Sequence, residues 1–281
     1  MNSSQLLGIT TFAYLAAAVL YVAIFVFRAR KLGLVASAVT VVALLIQTAG
    51  LGLRWSESYQ IGYGHAPLSN MYESLVFFAW CIAAFYLFLE WKFKNRLIGA
   101  FAMPFAFVSM AYASFGWGIN QEIAPLIPAL QSNWLIAHVI TCFIGYAAFA
   151  VASGLGIMYL FKANHEERAG DSSLLATLPQ LRVIDDVTYK SIVFGFLWLS
   201  AGIITGAIWA NSAWGTYWSW DPKETWSLIT WFLYAGALHA RFVRGWGGKR
   251  IAWIAIIGFV SVVFTYFGVN YILSGLHSYA G

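Results

Sequence analysis

Residues 134–161 read WLIAHVITCFIGYAAFAVASGLGIMYLF, a stretch without a single Asp, Glu, Lys or Arg. A helix needs about 20 apolar residues to cross the hydrocarbon core of a bilayer, which is about 30 Å thick. This stretch therefore predicts a membrane-spanning helix, and the rest of the chain repeats its character.

Seven further apolar runs have a length near that of a span. The shortest of them, at 226–240, reaches this length once the first helical turn before it is counted. Apolar residues make up 61% of the chain and charged residues only 10%, against about half and about a quarter in ordinary globular proteins. The sequence thus predicts an all-α polytopic membrane protein, a single membrane domain over 1–281 with eight transmembrane helices. The seven runs are Leu6–Phe27, Leu32–Leu53, Met71–Leu89, Leu97–Trp117, Ser191–Trp209, Trp226–Ala240 and Ile251–Leu273.

The basic residues are distributed unevenly between the loops. Nearly all of the 16 Lys and Arg fall in alternate loops, and only Arg54 and Lys223 lie in the others. Because cytoplasmic loops are enriched in Lys and Arg, both termini are predicted to lie on the outer side. The predicted segments are a first external loop at 54–70, a cytoplasmic loop at 162–190 and an external Trp-rich loop at 210–224. The net charge of +5 therefore reflects membrane topology, and we expect no nucleic-acid partner.

Two external segments carry helix-capping patterns. Asp221 is followed by proline at the next position and by Glu224 at the third, and Asn70 stands three residues before Glu73. Each pattern predicts an N-cap that satisfies free N–H groups at the start of a helix. For Asp221 the capping role and a contact to a ligand both stay open.

Histidines occur at distinctive depths. His138 lies one turn inside the outer end of its span, and His277 lies just past the outer end of the last span. His239 lies near the inner end of the seventh span. A lone histidine is often a hydrogen-bonded core residue, but paired neutral imidazoles suit the axial positions of haem iron. The sequence favours that pairing for His138 and His277.

Tryptophan is concentrated in one segment. The belt of aromatic residues at a membrane surface explains part of this density. A wide aromatic surface also suits a large flat ligand with a polar edge, such as a porphyrin. The six tryptophans between 209 and 231 are Trp209, Trp214, Trp218, Trp220, Trp226 and Trp231.

Residues 214–231, WGTYWSWDPKETWSLITW, resemble the tryptophan-rich WWD signature of haem-handling proteins of cytochrome c maturation. Residues 67–74, 133–138 and 270–279 are similar to the CcsA/ResC type of cytochrome c biogenesis protein, a subunit of the system II cytochrome c synthase. This resemblance extends from the first external loop to the C-terminus.

The resemblance implies a haem-handling role at the outer membrane face. Haem b would be held under the WWD segment with His138 and His277 on the iron, and attached to the CxxCH cysteines of an apocytochrome c. His239 would serve a second, membrane-embedded haem site. The residues implied to contact haem in the WWD segment are Trp214, Trp218, Trp220 and Asp221.

The resemblance also implies partners and a location. A separate membrane protein of the CcsB/ResB type would supply the second ligand at His239, and thiol-reducing proteins would assist the reaction. The expected location is the bacterial plasma membrane, or the thylakoid membrane of a photosynthetic host. Whether this chain itself performs a catalytic proton transfer stays open.

Two other functions fit part of the pattern. A b-type haem electron carrier would also place histidines at two depths, but it would need a ligand pair at each depth within one chain. A haem exporter could use the Trp-rich loop as a gate. A covalent cytochrome product separates the synthase function from both alternatives.

Overall fold

In a computed structural model, the chain is described over residues 2–167 and 174–273, and these residues form eight long helices. The last helix continues through a π-helical turn at Phe264–Gly268 and a final α-helical turn at Val269–Ile272. The helices are α1 (Ser3–Phe27), α2 (Gly33–Gln60), α3 (Met71–Phe93), α4 (Gly99–Phe115), α5 (Asn133–Glu167), α6 (Leu181–Trp214), α7 (Pro222–Arg244) and α8 (Lys249–Val263).

The all-helical, polytopic architecture is confirmed. Seven of the helices in the described ranges are long and apolar enough to cross a membrane. The remaining one, α7, has 23 residues but a more polar sequence. The number of eight spans and the side on which the termini lie stay predictions.

Several helices extend beyond the apolar runs that predict them. Helix α2 continues to Gln60, inside the predicted loop 54–70, and α6 continues to Trp214, inside 210–224. Helix α5 ends at Glu167 and α6 begins at Leu181, so much of 162–190 is helical. Apolar runs mark where a helix leaves the hydrocarbon, whereas caps and turns determine where its hydrogen bonding ends. The loop boundaries therefore shift into the polar residues.

The chain divides into two compact units, and the single membrane domain stays a prediction. The first unit contains Met1–Leu126 and Leu160–Leu181, and the second contains Ile127–Tyr159 and Arg182–Gly281. One of the three boundaries between the units falls within α5, where the apolar sequence gives no sign of it.

In the first unit, a buried glutamine connects three helices. The hydroxyl of Tyr14 in α1 donates to Gln47 Oε1 in α2 over 2.6 Å. Gln47 Nε2 donates to the carbonyl oxygen of Val76 in α3 over 2.8 Å. Because lipid offers no hydrogen-bond partner, each polar group in the helix bundle has to find one inside the protein.

A buried ion pair in this unit joins the C-terminal end of α2 to the N-terminal end of α3. Arg54 Nε lies 2.7 Å from Glu73 Oε1, with 2% and 0% of the two side chains exposed. Arg54 also donates to the carbonyl oxygen of Glu122 over 3.2 Å. The predicted N-cap at Asn70 is confirmed, since its side chain accepts from the backbone N–H of Glu73. The connecting segments are thereby tied to the helix ends.

The second unit is built on close helix contacts at small residues. A Cβ atom added at Gly156 of α5 would lie 2.7 Å from the carbonyl oxygen of Ala252 in α8. Phe149 of α5 and Tyr234 of α7 stack in parallel with ring centroids 3.7 Å apart. Small residues such as Gly156 and Ala252 allow membrane helices to approach backbone to backbone.

We expect Arg54→Met to destabilise the first unit, because it leaves the Glu73 carboxylate buried without its charge partner. Loss of one member of a buried pair costs about 3–5 kcal/mol. The measurement is the thermal unfolding midpoint of the detergent-purified protein. Arg244→Met, at an exposed arginine, is the control. Equal midpoints for the two variants would show that the pair contributes little.

Candidate functional site

His138 lies in the second turn of α5 with its imidazole fixed against α6. Its Nδ1 lies 2.8 Å from the carbonyl oxygen of Gly202. Because a carbonyl only accepts hydrogen bonds, Nδ1 carries the proton and Nε2 keeps a lone pair. Within the described ranges, no residue forms a hydrogen bond with Nε2. This nitrogen is therefore available to a metal.

Glycines on α6 make room for this arrangement. A Cβ atom at Gly206 would lie 2.6 Å from His138 Nδ1, and one at Gly202 would lie 2.6 Å from Cys142 Sγ. The ring of Trp209, also on α6, stacks on the imidazole with centroids 5.8 Å apart and an interplanar angle of 17°. The imidazole thus lies against the glycines and one indole of α6.

Part of the Trp-rich segment is structural. Trp209 is buried, and its Nε1 donates to the carbonyl oxygen of Ala129 over 2.9 Å. Trp226 packs on Phe264 with ring centroids 4.2 Å apart. Trp231 Nε1 donates to Ser200 Oγ over 2.9 Å. These three indoles pack the second unit together, so the six tryptophans do not form one surface.

The other three lie toward the loop after α6. Trp214 contacts Trp209 edge to face, with centroids 4.9 Å apart. Trp218 and Trp220 also meet edge to face, at 5.7 Å. Trp220 has φ of 59°, in the left-handed region, and 68% of it is exposed. A non-glycine residue in this conformation is strained and often marks a functional site.

His138 and Trp218 line one cavity in the second unit. Its volume is about 510 Å³, which includes space open to solvent. Tyr146, Lys223 and Glu224 contribute to the same wall. The cavity therefore combines an available imidazole nitrogen, aromatic faces and charged groups.

The predicted capping box at Asp221 is confirmed. Its carboxylate accepts from the backbone N–H of Lys223 over 3.0 Å, and Glu224 Oε2 accepts from the backbone N–H of Asp221 over 3.2 Å. Glu224 Oε2 also accepts from the backbone N–H of Ser219 over 2.8 Å. Asp221 thus acts as a helix cap, and a contact to a ligand stays a prediction.

Lys223 is a site residue that the sequence did not single out. It lines the cavity, and its Nζ donates to Asn270 Oδ1 over 3.4 Å. It lies in the first turn of α7, which completes the predicted span at 226–240. The sequence feature that could have indicated this role is that Lys223 is one of two basic residues outside the Lys- and Arg-rich loops.

The other histidines differ in their surroundings. His277 lies outside the described residues, so its pairing with His138 stays a prediction. His239 is exposed on α7, on a face that also exposes Phe232 and Val243. His65 is buried, with its two ring nitrogens 3.0 and 2.9 Å from carbonyl oxygens in the first unit.

Comparison with known sequences relates the chain to one family over most of its length. Residues 68–277 match the family model described as cytochrome C assembly protein. The chain is 43% identical to a cytochrome c biogenesis protein CcsA of Guillardia theta, covering 85% of this chain and 83% of that protein. It is 39% identical to the CcsA protein of Gloeobacter violaceus, covering 99% and 98% of the two chains.

A solved structure shares the fold. The cytochrome c haem lyase CcmF superposes with a TM-score of 0.65 at 17% sequence identity. The match covers 95% of this chain and 47% of CcmF, so this chain spans about half the length of that protein. At this level of identity the likeness concerns the fold alone.

We expect Asp221→Asn to keep the stability of the protein and Asp221→Ala to lose about 1 kcal/mol, because asparagine caps a helix as well as aspartate does. Thermal unfolding of the purified variants measures the difference. If the asparagine variant is as unstable as the alanine variant, the charge of Asp221 has a role beyond capping.

Proposed function

Because the chain belongs to the cytochrome c assembly protein family, we propose that it acts in cytochrome c maturation as the haem-handling subunit of a synthase. In this proposal it brings haem to the outer membrane face and presents it to the CxxCH thiols of an apocytochrome c. The alternatives are a b-type haem electron carrier and a haem exporter.

The observation that carries the proposal is the state of His138. Its Nδ1 is committed to the carbonyl oxygen of Gly202, and its Nε2 has no hydrogen-bond partner among the residues with described positions. A hydrogen bond at one ring nitrogen fixes the tautomer and makes the other nitrogen a better metal ligand. His65 differs, because a carbonyl oxygen lies within 3.0 Å of each of its ring nitrogens.

The residues around His138 fit haem b. Trp218 supplies an aromatic face, and Lys223 supplies a positive charge for a propionate, both in the cavity that His138 lines. The narrow space at Gly206 keeps the imidazole in place against α6. In the proposal, His277 would be the second histidine ligand of the haem iron, and Trp214, Trp220 and Asp221 would contact the haem.

The chemistry of the attachment lies in the haem and the thiols. Thioether formation adds each cysteine thiol of the apocytochrome across a haem vinyl group. The contribution of this chain is to hold the iron by imidazole and to fix the orientation of the ring. Two histidine ligands would also keep the iron fully coordinated, so that oxygen has no free position.

A partner chain completes the proposal. His239 is exposed on an apolar face of α7. Ionisable side chains within membrane spans are costly when they face lipid, so a protein partner is expected to cover this position. We propose that a membrane protein of the CcsB/ResB type supplies the opposite ligand there, with thiol-reducing proteins acting on the apocytochrome. The plasma membrane or a thylakoid membrane would house the complex.

The proposal is tested by co-expressing the chain with its partner and an apocytochrome c. We expect covalent cytochrome c with the wild-type chain and at least tenfold less with His138→Gly. Imidazole added to the His138→Gly protein should restore haem absorption, because it can occupy the space of the lost ring. The readouts are haem-stained product and the visible spectrum of the purified complex.

His165→Ala is the matched control, since His165 lies at the far end of α5. We expect it to give wild-type product. Bound haem without any covalent product in the wild type would favour the electron carrier or the exporter. An unchanged spectrum and yield in His138→Gly would contradict the assignment of His138.

For Lys223→Gln we expect weaker retention of haem, because the variant removes the positive charge from the cavity. An exposed ion pair is worth about 1 kcal/mol or less and a buried one more, so the expected loss of affinity is roughly fivefold to tenfold. Lys223→Arg should retain most of the affinity. Haem titration of the purified protein measures both. If Lys223→Gln binds haem as the wild type does, Lys223 has no role in holding it.

A further inference from the structure

A second cavity lies in the first unit, at the end of α3 that leads into α4. Its volume is about 820 Å³, including space open to solvent. One part of its wall is apolar, formed by Val41, Leu87 and Trp91. The rest is polar and basic, and it is formed by residues of α2, of α3 and of the segment that follows α3. The cavity is thus amphipathic.

The acidic residue of this wall, Glu90, is fully occupied. Its Oε2 accepts from the hydroxyls of Tyr21 and Tyr86 over 2.8 and 2.5 Å. Its Oε1 accepts from Ser37 Oγ and, over 3.2 Å, from Arg96 Nε. Glu90 is therefore matched by Arg96, and neither oxygen needs a further cation.

Arg96 keeps donors for a ligand. Its Nε contacts Glu90 and also Ser37 Oγ, at 3.0 Å. No residue in the described part of the chain accepts a hydrogen bond from its terminal nitrogens. A Cβ atom at Gly33 would lie 2.7 Å from Arg96 Cδ, so this glycine allows the side chain to lie across the start of α2. The guanidinium is positioned before any ligand arrives.

Lys94 adds a positive charge that no acidic group in the described ranges matches. Its ammonium lies 5.7 Å from the centroid of the Trp91 ring. It lines the cavity together with Arg96 and Glu90. Two cations and one carboxylate leave a net charge of about +1 in the wall, so an anion is the complementary ligand.

The apolar wall indicates which anion fits. Val41 and Trp91 are 42% and 67% exposed, so this wall opens onto the lipid-facing surface of α2 and α3. The segment after α3 carries one of the basic clusters that mark cytoplasmic loops. Basic pockets between membrane helices on that side bind anionic lipid headgroups. A free phosphate would use the cations but not the apolar wall.

We propose that this cavity is a binding site for an anionic phospholipid of the inner leaflet. Lys94 and Arg96 hold the phosphate, and an acyl chain lies along Val41, Leu87 and Trp91. The site belongs to the first unit alone and does not depend on the haem-handling proposal. Bound lipid stabilises the folded protein by mass action, in proportion to its concentration relative to its dissociation constant.

The test titrates the protein, purified in an uncharged detergent, with phosphatidylglycerol. The readouts are the unfolding midpoint and lipid-bound mass peaks in native mass spectrometry. We expect saturable binding of phosphatidylglycerol and none of phosphatidylcholine. Lys94→Asn should weaken the binding about fivefold, since one basic residue near an anionic headgroup contributes about 1 kcal/mol.

Asparagine suits position 94 because Lys94 has φ of 53°, in the left-handed region that asparagine tolerates. Lys92→Gln is the matched control, since it removes the same charge two residues away, where Lys92 lies over the Phe88 ring. We expect this control to bind as the wild type does. Arg96→Lys, which keeps the charge but loses the planar fork, should fall between them.

Four outcomes would overturn the proposal. Equal weakening by Lys92→Gln would indicate general surface charge. Equal binding of phosphatidylcholine would remove the role of the anion. Equal affinity for glycerol 3-phosphate would point to a free phosphate ligand, and absence of phosphatidylglycerol binding would leave the cavity without this ligand.

Discussion

The close approach of α5 to α6 determines where His138 lies and which of its nitrogens is available. With a side chain at Gly206, the imidazole could not stay within 2.8 Å of the Gly202 carbonyl oxygen. Without that hydrogen bond, the ring would be free to change its tautomer and orientation. An imidazole that binds iron gains affinity when its tautomer and orientation are fixed before binding. Two glycines on α6 thus prepare a histidine on α5.

The use of polar groups separates structural from functional residues in this protein. Glu90 and Glu73 are buried within helices, and hydrogen bonds reach both oxygens of each. His65 likewise has a carbonyl oxygen at each ring nitrogen. His138 differs because Nδ1 is fixed by the Gly202 carbonyl oxygen, no described residue forms a hydrogen bond with Nε2, and the residue lines a cavity. His138 is half-buried, so Nε2 stays within reach of a ligand.

The sequence predicts the class of fold well, because apolar length and helix caps are local properties. The caps at Asn70 and Asp221 are read from four residues each, and the structure has both. The prediction of the loops is less accurate at 54–60, where polar residues continue α2 beyond the apolar run. Hydropathy does not contain this information, because the polar residues Arg54 and Ser58 are buried there by hydrogen bonds to Glu73 and to the backbone of His65.

The site is predicted less completely, because it depends on contacts between distant segments. His138 stands out in an apolar run, but its bond to Gly202 joins residues 64 positions apart. The Trp-rich segment suggests one aromatic surface, whereas Trp209, Trp226 and Trp231 are used for packing. Only the packing of α5, α6, α7 and α8 shows which tryptophans are used for packing and which lie toward the loop after α6. Lys223 was missed for the same reason, since its cavity exists only in the folded unit.

The helix cap at Asp221 and the cavity share one residue, Glu224. Glu224 lines the cavity, and its Oε2 also accepts from the backbone N–H groups of Ser219 and Asp221. These two residues flank Trp220, whose left-handed backbone costs about 1–2 kcal/mol. The carboxylate offsets that strain by binding the chain on both sides of the indole. Helix α7 therefore begins at the point that holds Trp218 and Trp220 in place, and the capping residues act on the site through the backbone. A change to the capping residues should therefore move Trp218 and Trp220 even where it leaves α7 helical.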